Sequence, residues 1–371
     1  MFCTGFFVSP NQKMQTRLKQ ILMLSLLLLG LPLLGVMLND MPLAPYFEFP
    51  PRTRHVIHAG FSWPIFILTA AVGVLLMVGI IWIIRRDLGL RRLSQAKTSR
   101  HWPWWGWLGL LVLIVSWILA WNRFPWFAPW QWATFTPLWL GYIVVINAWT
   151  WRRDGKCLLI NQRRYFLMLF PLSALFWWHF EYLNRFVQNW YYIGVDDFGP
   201  LRYTLNASLS FSTVLPAVLS TQQWLASVLR IASRPLTLTV DRKSLRRLSW
   251  VTLLASSGVL VLLGIWPNLL FPFLWFAPLL VLLALQGIDG EPDLITALRA
   301  HGWQLIALSS LAALQCGFFW EMWNYYSATK WIYTVPLVHH FQVFEMPVAG
   351  YAGYLPFGIE CLVIALLLRR S

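Results

Sequence analysis

The sequence predicts an all-α fold, a polytopic transmembrane bundle of about ten helices, and three observations predict it. Apolar residues make up 58% of the 371-residue chain and charged residues 12%, with 25 Trp and a mean hydropathy of +0.58, far from the balance of a soluble domain. Apolar segments of the length needed to cross a bilayer core recur at about 21–38, 61–84, 104–121, 132–151, 165–183, 208–229, 249–266, 269–286, 303–323 and 351–368. The formal net charge of +15 then sorts by side: with the N-terminus inside, all but Arg52, Arg54, Arg123, Arg185, Arg202 and Lys330 of the 29 basic residues fall on inner segments. Orientation during insertion accounts for such a bias, so the charge implies no nucleic-acid partner. The expectation is a multi-pass protein of a bacterial inner (cytoplasmic) membrane, with both termini inside.

Each element follows from that frame. The first segment has a basic start, but it runs through Val36, Met37 and Leu38 into NDMPLAP without a small-residue cleavage pattern, which reads as an uncleaved anchor. Pro42, Pro45, Pro50 and Pro51 then forbid a long helix, so the first outer loop is expected as irregular backbone. HWPWWGW from His101 and NRFPWFAPWQW from Asn122 read as interfacial aromatic belts. Cys3, Cys157, Cys316 and Cys361 lack CxxC spacing and fall on different sides or inside apolar segments, so no disulfide framework is expected. The acidic cluster of Asp289, Glu291 and Asp293 lacks the spacing of a calcium loop and reads as the first turn of a helix.

From residue 102 the chain repeats itself. Glu181, Asn184 and Pro216 recur as Glu321, Asn324 and Pro356 at one offset, and Pro137 and Trp190 recur as Pro278 and Trp331 at one residue more. This predicts a duplication of four helices, an even number, so the copies share an orientation and form a parallel repeat. The expected organisation is an N-terminal helix pair with an outer loop at 1–101, a first repeat at 102–230, a basic linker at 231–248 and a second repeat at 249–371.

The chemistry concentrates between Cys316 and Glu360. Of 14 acidic residues only Glu181, Glu321 and Glu360 fall within apolar segments, and an acid in lipid surroundings is costly unless paired or protonated. Glu181 and Asn184, like Glu321 and Asn324, are three apart and share a helix face, so the amide is expected to orient the acid. These five are the candidate catalytic residues, with Glu321 as proton donor or acceptor. Trp190, Tyr192, Trp320, Trp331 and Tyr333 are the candidate substrate-binding residues. The competing reading makes each Glu and Asn polar glue across the duplicated interface. His55, His58, His339, His340 and Glu345 gather on outer loops and are candidate ligands for zinc or iron, while interfacial histidines satisfied by backbone are the commoner case. No other cofactor is implied: GxGxxG, GKS/T and GxSxG motifs are absent.

The stretch WEMWNYYSATKWIY at 320–333, an acid beside Trp at a helix end followed by WxY, and then LPFGIE with Pro356 and Glu360, resembles the membrane-integral lycopene cyclase domains of bacteria, archaea and fungi. The family's paired acids after the proline are missing here, and Glu321 stands where it has Asp. The resemblance implies a helical bundle acting on an apolar isoprenoid. Three functions follow as alternatives: an enzyme using Glu acid/base chemistry on an isoprenoid or other lipid, a proton-coupled permease, or a non-catalytic membrane subunit docking a periplasmic partner.

Overall fold

The computed structural model describes residues 10–49, 55–88, 100–229 and 234–368. Cys3, Arg52, Arg54 and the basic residues of 89–99, 230–233 and 369–370 lie outside them. The fold is helical throughout, apart from two short ribbons. The helices are α1 (Pro10–Leu38), α2 (Trp63–Leu88), α3 (Trp104–Trp121), α4 (Phe135–Asp154), α5 (Arg163–Val187), α6 (Pro200–Phe211) and α7 (Val214–Leu229). They continue with α8 (Arg242–Leu263), α9 (Ala277–Asp289), α10 (Asp293–His301), α11 (Gln304–Tyr325) and α12 (Tyr354–Leu366). The strands are β1 (Trp190–Ile193), β2 (Lys330–Tyr333), β3 (Gln342–Val343) and β4 (Met346–Pro347).

Among the described residues, seven helical stretches are long and apolar enough to cross a membrane, and a broken pair, Pro267–Trp275 with Ala277–Asp289, brings the number to eight if it is one span. The chain therefore has the architecture of a helical membrane protein. The seven fall on seven of the ten expected segments. The other three are helical but different in kind. The pair at 267–289 bends by 55°, where Pro272 and Pro278 follow in the sequence and remove amide donors. The segment expected at 208–229 divides into α6 and α7 at Ser212 and Thr213, whose hydroxyls bond back to the carbonyls of Leu209 and Ser210, the local competition by which Ser and Thr bend helices. The segment at 132–151 is α4, which carries Asn147 and Thr150 inside the bundle and ends in Arg152, Arg153 and Asp154.

The outer loop expected as irregular backbone holds one helical turn, Ala44–Phe47, with Pro45 in its first positions. Of the acidic cluster expected in a first turn, Asp293 opens α10, whereas Asp289 is the last residue of α9 and Glu291, between the helices, pairs with Arg299.

The early part of α1 meets the ends of α9 and α12 at one end of the bundle. Arg17 Nη1 donates to Leu367 O at 2.9 Å, and Gln20 Nε2 to Asp289 Oδ2 at 3.0 Å. The strands lie at the opposite end, called here the ribbon end. There Ser62 N bonds Leu337 O at 2.8 Å, and Arg123 Nη2 bonds Tyr326 O at 2.6 Å.

Packing rests on small residues and aromatics. Where α1 crosses α8, a Cβ on Gly35 would overlap the Val261 carbonyl, and one on Gly264 would overlap the Pro32 carbonyl, the close approach that small residues give membrane helices. Gly264→Ala is therefore expected to lower stability by about 1–3 kcal/mol, read as an earlier thermal unfolding midpoint in detergent. The core itself is built on Trp139, Phe180, Trp323 and Phe357, all at most 2% exposed. Beside it runs a polar seam joining α4, α7 and α11: Tyr142 OH lies 2.9 Å from Thr221 Oγ1, Gln315 Nε2 donates to Tyr142 OH at 3.1 Å, and Thr221 Oγ1 lies 3.4 Å from Cys316 Sγ. Groups that would be stranded in lipid satisfy one another there.

Candidate functional site

The ribbon end carries the same construction twice. Glu181 and Asn184 lie near the end of α5, and Glu321 and Asn324 near the end of α11; all four are at most 1% exposed. The α5 helix closes when Gln188 turns left-handed, φ 49°, with its N–H on Asn184 O at 2.7 Å. The chain then reverses into β1, and after α11 it reverses into β2. Each asparagine pins its strand. Asn184 Nδ2 donates to Trp190 O at 2.8 Å, and its Oδ1 accepts from Asn189 N at 2.8 Å. Asn324 Nδ2 donates to Trp331 O at 2.8 Å, and its Oδ1 accepts from Trp331 N at 3.0 Å.

The consequence is registry. Alternate strand residues share a face, so a pinned Trp places the Tyr two residues on over the carboxyl. Tyr192 OH donates to Glu181 Oε1 at 2.6 Å, and Tyr333 OH to Glu321 Oε1 at 2.9 Å. The strands pair antiparallel, Trp190 opposite Tyr333 and Tyr192 opposite Trp331. Residues directly opposite lie on one face, so the four rings form a single surface. Gly194, φ 73°, follows β1 where a Cβ would press on Ala328 O, a backbone that only glycine adopts without strain.

The two carboxyls differ in their further donors. Glu181 Oε1 also accepts from Trp177 Nε1 at 3.0 Å and Trp190 Nε1 at 3.2 Å. Glu321 Oε1 accepts instead from Tyr354 OH at 2.7 Å. The residue at the offset from Trp177 is Gly317, and a Cβ there would run into the Tyr354 ring. The second site thus has a phenol from α12 where the first has an indole on its own helix, and the glycine makes room. Gly317→Ala is expected to push Tyr354 off Glu321 and cost about 1–3 kcal/mol, with a changed Tyr hydroxyl signal by difference infrared spectroscopy as the check. The Oε2 atoms of both acids are buried without a partner.

Against both strands of the ribbon lies a cavity of about 530 Å3. Trp190, Tyr192, Trp320, Trp331 and Tyr333, the five expected substrate-binding aromatics, all lie on its wall, together with Trp177 and Tyr354. The carboxyls stand behind this wall and meet the cavity through the phenols and indoles that bond them. Burial, reinforced by the adjacent Glu carboxyl, holds the Tyr192 and Tyr333 phenols well above their ordinary pKa, so both remain donors at any physiological pH.

The remaining expected residues are placed otherwise. Asn184 and Asn324 bond strand backbone and make no hydrogen bond to the acids themselves. Glu360 sits on α12, one turn past the cavity-lining Phe357, 1% exposed and with neither oxygen hydrogen-bonded; no hydrogen bond joins it to Glu181 or Glu321. His58 bridges Asn268 Oδ1 at 2.8 Å and Gln188 O at 3.1 Å, and His55 packs edge-on to Tyr191. His339 lies 2.9 Å from Gln342 Nε2, and partial burial with His58 nearby lowers its pKa. His340 packs on Phe61 and Phe341, and Glu345 pairs with Lys330 at 2.5 Å. Among the described residues no group of three or more His, Cys, Asp or Glu side chains is placed to hold a metal ion.

Sequence reasoning missed Trp177, Tyr354 and Trp275. Trp177 was detectable, being four residues before Glu181 and so on its face. Tyr354 and Trp275, which stacks on Phe180 and Trp190, come from distant segments and carry no local signal.

Fold and site together define a helical membrane protein with two buried acids against one aromatic cavity. Comparison with protein-family models, curated proteins and solved structures gives no match.

Proposed function

We propose that this protein is an enzyme of the bacterial inner membrane that rearranges an apolar isoprenoid or related lipid by proton transfer. One observation carries the reading: each of two buried carboxyls accepts a hydrogen bond from a tyrosine that lines a common aromatic cavity. In this reading Tyr333 passes a proton from Glu321 to a substrate double bond, the cation that forms is held against ring faces, and loss of a proton elsewhere on the chain, through Tyr192 to Glu181, gives an isomerised or cyclised product. The protons balance, and no oxidant is needed. The similarity of 320–333 to lycopene cyclase domains supports the same class of substrate. The proposal includes the duplication of residues 102–230 as 249–371, supported by the two matched acid, amide and strand units, and an inside placement of both termini, supported by the bias of Lys and Arg to one set of loops, with the Arg17 contact to Leu367 O supporting a common side for the start of α1 and the end of α12.

Mass spectrometry of lipids retained in mild detergent tests the reading. A bound prenyl lipid or polyene, converted by the wild type and unconverted by Glu321→Gln, is the expected result; an unchanged product profile in that variant defeats it. A second reading, a proton-coupled permease, is favoured by Glu360, which lies without partners in a bundle that also holds the Tyr142–Thr221–Gln315 seam. Substrate uptake driven by a proton gradient in vesicles would select it.

A further inference from the structure

The basic residues expected on the outer side are Arg52, Arg54, Arg123, Arg185, Arg202 and Lys330, and those the structure describes are not used alike. Arg123 donates to the carbonyls of Ala120 and Tyr326, Arg185 to that of Tyr46, and Lys330 to Glu345 and to Tyr325 O. Arg202 differs. It is exposed, and its Cζ lies 4.2 Å from the centre of the Phe198 ring and 4.5 Å from that of Trp132. Among the described residues its guanidinium makes no ion pair, and Asp196 and Asp197, the acids nearest in sequence, do not reach it. Ring contact attracts the cation but spends none of its N–H groups. Those remain for the paired oxygens of a phosphate, which a guanidinium takes in a fork.

Trp132 and Phe198 both line the aromatic cavity, so this unspent charge stands at its edge, near the ribbon. From there α6 leads into the bundle, with Ala207 and Ser210 on the cavity wall; Arg202 to Ser210 is about 12 Å of helix. The cavity is also open sideways. Leu68, Val72 and Leu76 of α2 line it, yet they are 64%, 47% and 41% exposed, so one strip of α2 faces both the cavity and lipid over a similar height. A site of this volume holds a drug-sized group, so a long chain seated in it continues out past that strip into the bilayer. A cation at one end, an apolar wall beyond it and a side opening to lipid match an amphiphile better than a bare hydrocarbon or a free ion.

We propose that the cavity seats a long-chain lipid phosphate drawn from the bilayer, its head on Arg202 and its chain running past Ala207 and Trp177 and out beside Leu68, Val72 and Leu76. This rests on the cavity being the substrate site of the proposed enzyme, and it adds an anionic head to the chain on which the acids act. The test uses the full-length protein in phosphatidylcholine vesicles with a prenyl phosphate that carries a diazirine on its chain, set against the prenyl alcohol of the same chain and diazirine. At sub-saturating probe the phosphate is expected to label the half-buried wall residues Trp177 and Ala207 about tenfold more than the alcohol does, the gain of hydrogen bonds to a charged group. Arg202→Gln brings the phosphate down to the alcohol with the unfolding midpoint unchanged, and Arg202→Lys, which keeps the charge without the fork, falls between. Near 1 M salt, where the screening length is about 3 Å, the lead of the phosphate shrinks and labelling by the alcohol stays as it was. Inorganic phosphate at matched ionic strength does not compete; competition would make this a free-anion site and overturn the proposal. Equal labelling of the wall by phosphate and alcohol in the wild type also overturns it, as does a phosphate preference that survives Arg202→Gln, or labelling confined to Leu175 and Leu254, which are 71% and 67% exposed. Labelling needs no turnover, and Glu321→Gln is expected to keep its pattern. Loss of turnover with labelling intact therefore bears on the chemistry, and loss of the phosphate preference bears on the head site.

Discussion

Glu321→Gln is expected to leave the protein folded and to lower turnover by about 10²–10⁴-fold, the usual contribution of a positioned proton-transfer group. The amide keeps an oxygen to accept from Tyr333 and Tyr354, whose hydroxyls reach Oε1 at 2.9 and 2.7 Å. Its NH2 falls where Oε2 now has no partner, so no bond is lost. What disappears is the proton. Glu321→Leu is the contrasting variant: it strands two buried phenols, each at about 1–3 kcal/mol, and is expected to fail on stability before chemistry is reached. Product analysis beside a thermal unfolding curve separates the two. A Gln variant with wild-type turnover would remove Glu321 from the mechanism.

Asn184→Ala carries the largest expected loss of stability. The side chain holds the carbonyl of Trp190 and the N–H of Asn189 together, each at 2.8 Å. Its removal leaves two buried backbone groups without partners, at a cost of about 2–5 kcal/mol. Freed of its pin, β1 no longer presents Tyr192 to Glu181, so activity falls with stability. Asn184→Asp keeps the acceptor for Asn189 and loses the donor to Trp190, and is expected to fall between wild type and Ala. Unfolding midpoints of the three proteins give the ranking. An Ala variant as stable as wild type would mean that the ribbon, not the amide, sets the strand position.

Much of this arrangement was legible in the chain. Acids inside apolar segments are rare enough to be noticed, and an offset one residue longer than that between Glu181 and Glu321 carries Trp190 onto Trp331 and Tyr192 onto Tyr333, four residues that pair crosswise in the ribbon, Trp190 with Tyr333 and Tyr192 with Trp331. The role of the amides was harder to read. Three residues of spacing puts Asn184 beside Glu181 on the helix face, but nothing local reveals that its amide turns outward to the returning strand. The ribbon itself was hidden because WYYI and KWIY are only four residues each, and their aromatics read as candidate substrate-binding residues whatever their backbone. Helix breaks at 212–213 and 267–277 were masked by hydropathy, which averages over a bend. Glu360 shows the reverse limit. At the offset that joins Glu181 to Glu321, the residue matching Glu360 is Ser220, which accepts from Asn147 at 2.8 Å, and a lone acid looks the same in sequence whether or not such a partner exists.

The ribbon also dictates an order of events at the ribosome. Strand β1 is made well before β2, and among the described residues each is the other's only strand neighbour. Until residues 330–333 are synthesised, Trp190 and Tyr192 sit on an unclosed edge, and the first acid lies in a half-built chamber. Closure of the ribbon must therefore await translation of β2, and a chain stalled before residue 330 would leave that edge open.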